Sequence, residues 1–397
     1  MKIKTFIKLG DICDISAGQG APQGDSNYCD NGTPFVKAGN LIELLQGKNE
    51  TDIQKVSEDV AKKHKLKKYT AGSILFAKSG MSCMKGYVYQ LKNDSYVVSH
   101  LAIVKPIKDS SDYIEYCLRH IKPNSLVKDE AYPSISLQDI SNLKIPLPSL
   151  EEQIKISKQL YICTQIINKH KKQLERYDTL IKSRFIEMFG DPVQNPMGWE
   201  VKKLGKMCSA IMNGTTPKGG EQVYVENGIT FLRSQNVWRN KIDLDDVAYI
   251  DEATHKSMKK SSLKKYDILM TKTGRINTEN SSLGRAALFL GEDDSANING
   301  HVYLIRLEKE YNHEFVIRIL TSPEYRDYIR SICVGGIDKR QVNKDHIEEF
   351  PIIQPPKELQ DEYSTFVQQI DKSKFAVQKS LEKAETLYKS LMQEYFA

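Results

Sequence analysis

The chain has 397 residues, a formal net charge of +6, 40% hydrophobic and 27% charged residues. That leaves room for two or three hydrophobic cores and excludes a disordered or low-complexity protein. No window approaches the length of a membrane span, and the charged start at residues 1–8 has no apolar stretch behind it, so neither a membrane protein nor a secreted one is expected. The 7 cysteines are scattered, odd in number and never closer than 16 residues, which argues against a disulfide framework or paired zinc knuckle and for reduced thiols in the cytoplasm.

Residues 1–149 alternate short β-branched or aromatic runs with Gly, Asn, Asp and Ser punctuation. Thr33–Val36, Ser73–Phe76, Tyr87–Tyr89, Tyr96–Val98 and Ala102–Val104 read as strands of a curled sheet. Tyr113, Ile114, Cys117 and Leu118 give residues 111–121 helical spacing, so this unit is mixed α/β. A run of five lysines without an acid occupies residues 61–68.

Residues 150–190 carry a long helical pattern. Ile156, Leu160, Cys163, Ile167, His170, Leu174, Tyr177, Ile181, Arg184 and Met188 follow alternating steps of four and three, which is a coiled-coil seam. Ser149, three residues before Glu152, makes a capping box, and residues 190–192 (Gly-Asp-Pro) stop the helix. Residues 191–355 return to the mixed plan, with expected strands Ile229–Leu232, Asp267–Thr271, Ala286–Leu290 and Val302–Ile305, a helix over residues 314–320, and five more lysines without an acid between residues 255 and 265. Residues 356–397 are a second long helix, with Pro356 in its first turn and Tyr363, Val367, Ile370, Lys374, Val377, Leu381, Ala384, Tyr388, Leu391 and Tyr395 in its seam.

The chain is therefore written twice. Leu174, Leu180, Ser183 and Phe189 return at one spacing as Leu381, Leu387, Ser390 and Phe396; residues 66–69 (Leu-Lys-Lys-Tyr) return as 263–266, and residues 74–80 as 268–274. The expected fold is α+β: two repeated mixed α/β domains, 1–149 and 191–355, separated by two long antiparallel coiled-coil helices, 150–190 and 356–397, in a pseudo-two-fold internal repeat. A helix of this length is a rod of about 60 Å. Duplex DNA offers two-fold-related half-sites one turn apart, roughly 34 Å. Lysine runs at one place in both repeats point to an anionic partner, for which phosphate is the obvious chemistry.

Several short signatures in one order, used twice, resemble the specificity subunit of Type I restriction-modification systems. They are Leu9-Gly10 and residues 199–205 (Trp-Glu-Val-Lys-Lys-Leu-Gly); 213–217 (Asn-Gly-Thr-Thr-Pro); the strands 72–76 and 266–270; the Pro-x-Pro to Glu-Gln helix entry at 146–153; and 183–192. The resemblance spans essentially the whole chain. It implies two target recognition domains, each reading one half of a split double-stranded DNA target, and helices that dock two methyltransferase subunits. Restriction subunits join that core. It also implies that adenine methylation and cleavage, with their S-adenosylmethionine, ATP and Mg, belong to those partners, leaving this chain without catalysis, cofactor or metal. Because the two recognition units differ strongly, an asymmetric target is expected.

Base edges are read by Arg, Lys, Asn and Gln, and hydroxyls and backbone set phosphate register. Three recurring loop sets carry such residues. Gly18, Gln19 and Gly20 answer Gly214, Thr215 and Thr216; Lys78, Ser79 and Lys85 answer Lys272, Thr273, Arg275 and Arg285; Ser134, Ser136 and Gln138 answer Lys339, Arg340 and Gln341. The latter two sets are the expected DNA contacts, with Arg233, Gln235, Asn236 and Arg239 as a further patch. Ile156, Leu160, Ile167, Leu174, Tyr177, Ile181, Tyr363, Val367, Ile370, Leu381, Tyr388 and Leu391 are expected in the inter-helix seam or on partner surfaces.

Apparent catalytic motifs fail. Gln354 and Lys357 replace the defining residues of an adenine-methyltransferase motor around Pro355-Pro356, and Ile317 stands where a metalloprotease pattern starting at His313 needs its second histidine. Asp191, Glu200 and Lys202 have no counterpart in the first repeat, and residues 17–20 are too short for a nucleotide loop. His100 and His301 coincide between repeats and read as structural. The alternatives are a self-sufficient restriction or modification enzyme, which lacks a catalytic cluster, and a coiled-coil scaffold that binds only proteins, which leaves the lysine runs without a role.

Overall fold

A computed structural model describes residues 5–336 and 338–397, and among them the chain compacts into two units. The first comprises Met1–Lys172 with Gln378–Ala397, and the second Gln173–Val377. Neither long helix is a body apart from the globular domains, because each contributes its two ends to two different units.

In the first unit, a four-stranded antiparallel sheet runs Cys13–Ala17, Leu101–Pro106, Ile74–Ala77, Val88–Gln90 in spatial order. Beside it Thr33–Val36 pairs antiparallel with Lys55–Val56 and parallel with Tyr96–Val97. The sheet residues Ile74–Ala77 and Leu101–Val104 are all buried, and helix Ser111–Ile121 covers them with Tyr113, Ile114, Cys117 and Leu118. Its cap is Ser110, whose Oγ accepts from Tyr113 N. The core is closed by both long helices. Leu160 enters from Leu150–Phe189, and Met392 and Phe396 enter from the far end of Lys357–Phe396. The Phe396 ring lies 5.4 Å from that of Tyr113.

The second unit repeats this order as Cys208–Asn213, Val302–Leu307, Ile268–Thr271, Ala286–Leu288, again antiparallel. Ile229–Leu232 pairs antiparallel with Ala248–Ile250 and parallel with Ala296–Ile298, as its counterpart does in the first unit. Helix His313–Thr321 takes the covering place. Here the core receives Ile181, Phe185 and Phe189 from the end of the first long helix and Tyr363 and Val367 from the start of the second. Phe189 sits 4.9 Å from Phe315, ring to ring, reproducing the Phe396–Tyr113 contact. A second helix, Pro323–Ile332, is not evident in the sequence pattern; Ser322 caps it and Pro323 opens it.

Within each unit the two helical segments run antiparallel. In the first, Tyr395 donates to Gln159 (2.8 Å) and Lys171 pairs with Glu385 (3.0 Å). In the second, Asp178 faces Lys374 (2.5 Å), Arg184 faces Glu362 (2.9 Å), and the Tyr363 hydroxyl donates to Ile181 O (3.3 Å). Two of the polar seam residues thus form cross-helix pairs, which favour one register while contributing at most about 1 kcal/mol each at such exposure. Of the expected seam residues, Leu160, Ile181, Tyr363, Val367 and Leu381 are buried, and Ile156, Ile167, Leu174, Tyr177, Ile370, Tyr388 and Leu391 are partly buried. The strict heptad reading fails at the ends of both helices: at the end of the second, Met392 and Phe396 are buried beside the expected Leu391 and Tyr395, and the end of the first behaves alike. There Phe185 and Phe189 are buried, beside Arg184 and Met188, because the helix end packs on a domain core instead of on one partner helix.

Candidate nucleic-acid interface

The buried strand Ile74–Ala77 ends by delivering Lys78 and Ser79 to the surface of the first unit. Lys78 N–H donates to His100 O (2.9 Å), and Ser79 Oγ lies 2.8 Å from His100 Nδ1. The later loop is stitched to the same place: Gly80 N–H donates to Pro133 O (3.0 Å), Ile135 N–H to Lys78 O (2.8 Å), and Ser79 bridges Ser134. Two sequence-predicted loops, 78–85 and 133–138, are thereby joined, and exposed His100 joins them. Gly80 has φ +76°, a conformation that favours glycine. Lys85 and Gln138 are exposed further along these loops.

The lysine run belongs to the same rim. Gln19 donates to Lys65 O (2.8 Å) and accepts from Lys67 N–H, while its own backbone pairs with Val97 and Ser99 (2.8 Å each). A continuous hydrogen-bonded path therefore connects Lys65–Lys67 through Gln19 and Ser99 to His100 and Lys78. Lys62, Lys63, Lys65, Lys67 and Lys68 are all exposed. Gly18 has its own reason: a Cβ there would fall 2.2 Å from Val97 O, so the chain can pass this close only without a side chain.

The second unit builds the same frame. Lys272 N–H donates to His301 O (2.9 Å), Val342 N–H donates to Lys272 O (3.0 Å), and Thr273 and Gly274 pair with Gln341 and Arg340. Lys339–Gln341 forms a hairpin with Val334–Gly336; Ile337 at its tip lies outside the described residues. A Cβ at Gly214 would fall 2.2 Å from Asn299 O, the counterpart of the Gly18 approach. Lys272 Nζ stands 5.5 Å from the Tyr303 ring centre, and Arg275 and Lys339 are exposed.

Other predicted residues are committed to holding loops. Ser136 Oγ caps helix Leu137–Ser141 by accepting from Asp139 N–H (3.0 Å) and donating to its carboxylate (2.8 Å). Those bonds, with one from Lys128, hold the Asp139 carboxyl below its ordinary value. Arg285 is buried: Nε donates to Ser281 O (2.9 Å), a second nitrogen donates to Asn280 O, and the guanidinium lies 3.8 Å over Trp238. Arg233 and Gln235 converge on the carboxylate of Asp246 (3.2 and 2.8 Å), and buried Asn236 ties Asp243 O and Asp246 O (2.9 Å each). That patch is a loop brace rather than a free row of donors. Arg340 donates to Cys333 O (3.2 Å) and Gln341 to Asn343 Oδ1 (2.8 Å).

His100 and His301, which read as merely structural in the sequence, stand at the rims themselves. Both are exposed, and each backbone carbonyl anchors the lysine of its loop. The signal that finds them is their recurrence at one place in both repeats. Among the described residues, no group of three or more His, Cys, Asp and Glu could hold a metal ion, and no helix is long and apolar enough to cross a membrane. The seven cysteines are free thiols.

Comparison with known proteins matches this doubled frame. The family described as the Type I restriction modification DNA specificity domain matches residues 1–176 and again 196–385. The MjaIX Type I restriction enzyme specificity subunit of Methanocaldococcus jannaschii is 24% identical over 289 residues, 67% of this chain and 65% of that protein. The StySPI specificity subunit of Salmonella potsdam is 23% identical over 305 residues, 70% of this chain and 63% of that protein. The chain thus spans slightly under two thirds of the length of these relatives. Among solved structures, a Type I restriction-modification S subunit from M. genitalium has the same fold, with a TM-score of 0.63 at 13% identity, covering 100% of this chain and 97% of that one. A chain from a structure of Type I R-M complex assembly and conformational transition gives 0.53 at 15% identity, covering 98% and 97%. With both halves matched in full domain order, the chain belongs to the Type I restriction modification DNA specificity domain family.

Proposed function

We propose that this chain is the sequence-reading subunit of a Type I restriction-modification complex and performs no chemistry itself. Its two domains bind duplex DNA and each reads one half of a bipartite, asymmetric target. The bound chain positions two methyltransferase subunits for adenine methylation and admits restriction subunits for cleavage, in the cytoplasm. S-adenosylmethionine, ATP and Mg act on those partners. The observation that carries this reading is the duplicated rim. Both units hang two loops from a Lys–His backbone bond beside exposed lysines, yet the side chains offered differ: Ser79, Ser134 and Gln138 in one, Thr273, Arg275 and Lys339 in the other. One frame with two sets of donors is what two unlike half-sites require.

The seam residues are buried or partly buried, so the more exposed apolar side chains of the helices are the better candidates for partner docking. On the first helix Ile154, Tyr161, Ile162 and Ile166 are 55%, 57%, 47% and 41% exposed and fall on one broad face of the helix, with Ile162 and Ile166 direct neighbours at i,i+4. These residues are the proposed methyltransferase contact.

Co-expression with a cognate methyltransferase and single-molecule mapping of methylated adenines tests the assignment. The expected result is a split, asymmetric motif that vanishes when this chain is omitted. Methylation unchanged without the chain would overturn it and favour a protein-only scaffold.

A further inference from the structure

The second unit holds a cleft between a short hairpin and a rim loop. The hairpin Val237–Trp238 and Lys241–Ile242 faces loop residues Asn280 and Arg285 across a volume of about 450 Å³, lined by Trp238, Arg239, Lys241, Asp243, Asn280 and Arg285. That is within the range of small-ligand sites, roughly 300–1,000 Å³. One wall is an ordered aromatic–cation stack, because the Arg285 guanidinium is fixed 3.8 Å over Trp238 by its bonds to Ser281 O and Asn280 O. Trp238 remains 40% exposed.

Helix Pro323–Ile332, which stands where the first unit has the short turn Pro123–Leu126, carries two more arginines, Arg326 and Arg330, outside the cleft's lining. Burial, and then the like charges of Arg326, Arg285 and Arg330, push the Arg239 guanidinium below its ordinary value; the acidic group opposing them is Glu279. The remaining counter-charges are partly spent. Asp243 faces Lys241 (3.6 Å), and Asp327 is shared between Arg330 (3.5 Å) and Arg326 (3.8 Å). Arg326 Nε is buried without a hydrogen-bond partner. Like guanidinium charges gathered around a partly buried Arg239 are costly to leave without a matching anion. An anion with several acceptor oxygens would relieve that repulsion, and guanidinium forks match phosphate in geometry.

We propose that this cleft is a nucleotide-phosphate site, in which Arg239 and Lys241, both lining it, hold the phosphate and the adjoining base lies against Trp238. The base would stack on the exposed indole face beside Arg285, an arrangement indifferent to base identity. The phosphate could come from a DNA strand or from a free nucleotide. The DNA source is geometrically direct, since the chain leaves the recognition strand at Gly274 and Arg275 and returns at Asn280 to line the cleft.

Trp238 is one of 2 tryptophans, so its fluorescence reports the site, with Trp238→Phe identifying the signal. The full chain is titrated with ADP, with inorganic phosphate as competitor, and separately with single- and double-stranded DNA across a salt series. Arg239→Ala and Lys241→Gln are compared with the wild type, and thermal melts check that the variants fold. Saturable quenching by ADP, weakened at least about tenfold by either substitution, assigns the site to a free nucleotide. Quenching by DNA but not ADP, with a salt slope reduced by about one phosphate's worth in Arg239→Ala, assigns it to a strand phosphate. No quenching by either ligand, or quenching that both folded variants retain in full, overturns the proposal. The ADP arm is independent of target reading, so failure of the specificity assignment does not alter it.

Discussion

The two units share everything that sets backbone position and differ in what the backbone presents. Sheet order, the parallel side pairing, the close glycine passage at Gly18 and Gly214, and the Lys–His bond at 2.9 Å are common to both. The rims diverge. The first unit offers hydroxyls and amides on short turns, whereas the second offers Arg275 after the strand Thr273–Gly274 and Lys339 on a hairpin, and adds helix Pro323–Ile332 with its arginines. Buried sheet residues have few tolerated substitutes because packing is dense, while rim loops change at little cost to the core. A duplicated frame can therefore acquire two specificities without refolding.

The largest effects should come from the shared frame. Phe396→Ala in the first unit and Phe189→Ala in the second each remove a buried ring from an aromatic pair. Each should cost about 3–5 kcal/mol. Hydrogen exchange should place the Phe396→Ala destabilisation in residues 5–172 with 378–397, although residue 396 is at the far end of the chain; an effect confined to the second long helix would contradict the shared core.

Next in size are the rims. Arg275→Ala with Lys339→Ala should weaken binding by about 1–3 kcal/mol for each base edge no longer read and relax one half of the methylation motif. Lys78→Ala with Gln138→Ala should relax the other half. Competition binding against half-site-scrambled duplexes measures this, and equal relaxation of both halves by either pair would refute the division of labour. Replacing Lys62, Lys63, Lys65, Lys67 and Lys68 by Gln should instead lower affinity for all sequences and flatten log K against log salt by about 0.9 for each phosphate no longer neutralised.

The smallest effect separates the units by pH. His313 begins the covering helix of the second unit where the first has Ser111. Burial holds its imidazole below the ordinary 6.5. The unfolded chain then takes up the proton first, so this contribution to stability is complete above about 6.5 and declines as pH falls below it. Exchange protection from pH 7.5 to 5.5 should fall more in the second unit, and His313→Gln should remove the difference.

Much of the fold is legible in the sequence because burial leaves a period. The doubled strands, both covering helices and the seam from Ile156 to Ile181 follow from apolar spacing. What the period cannot show is which surface a helix meets. Phe185 and Phe189 face a domain core, so the heptad reading selects their neighbours instead. At the site, the recurring Lys78 and Lys272 loops are visible, as is the Ser136–Asp139 cap in principle. Arg233, Arg285 and Asn236 read as donors to a partner because their bond acceptors, Asp246 O, Ser281 O and Asp243 O, come from loop geometry that residue type does not encode. The recurrence of His100 as His301 is visible in the sequence, but the bonds that place it at the rim, to Lys78 and Ser79, are not.

The sequence by itself determined the duplication, the α+β class, the helical seam and the family, since each rests on local periodicity or on motifs repeated in order. Only the tertiary structure decided that the chain's last helix completes the first domain's core, that loops 78–85 and 133–138 form one rim around His100, and which polar side chains face outward. Those outcomes depend on residues tens to hundreds of positions apart meeting in space, and they are fixed by shape and hydrogen-bond satisfaction in the packed chain.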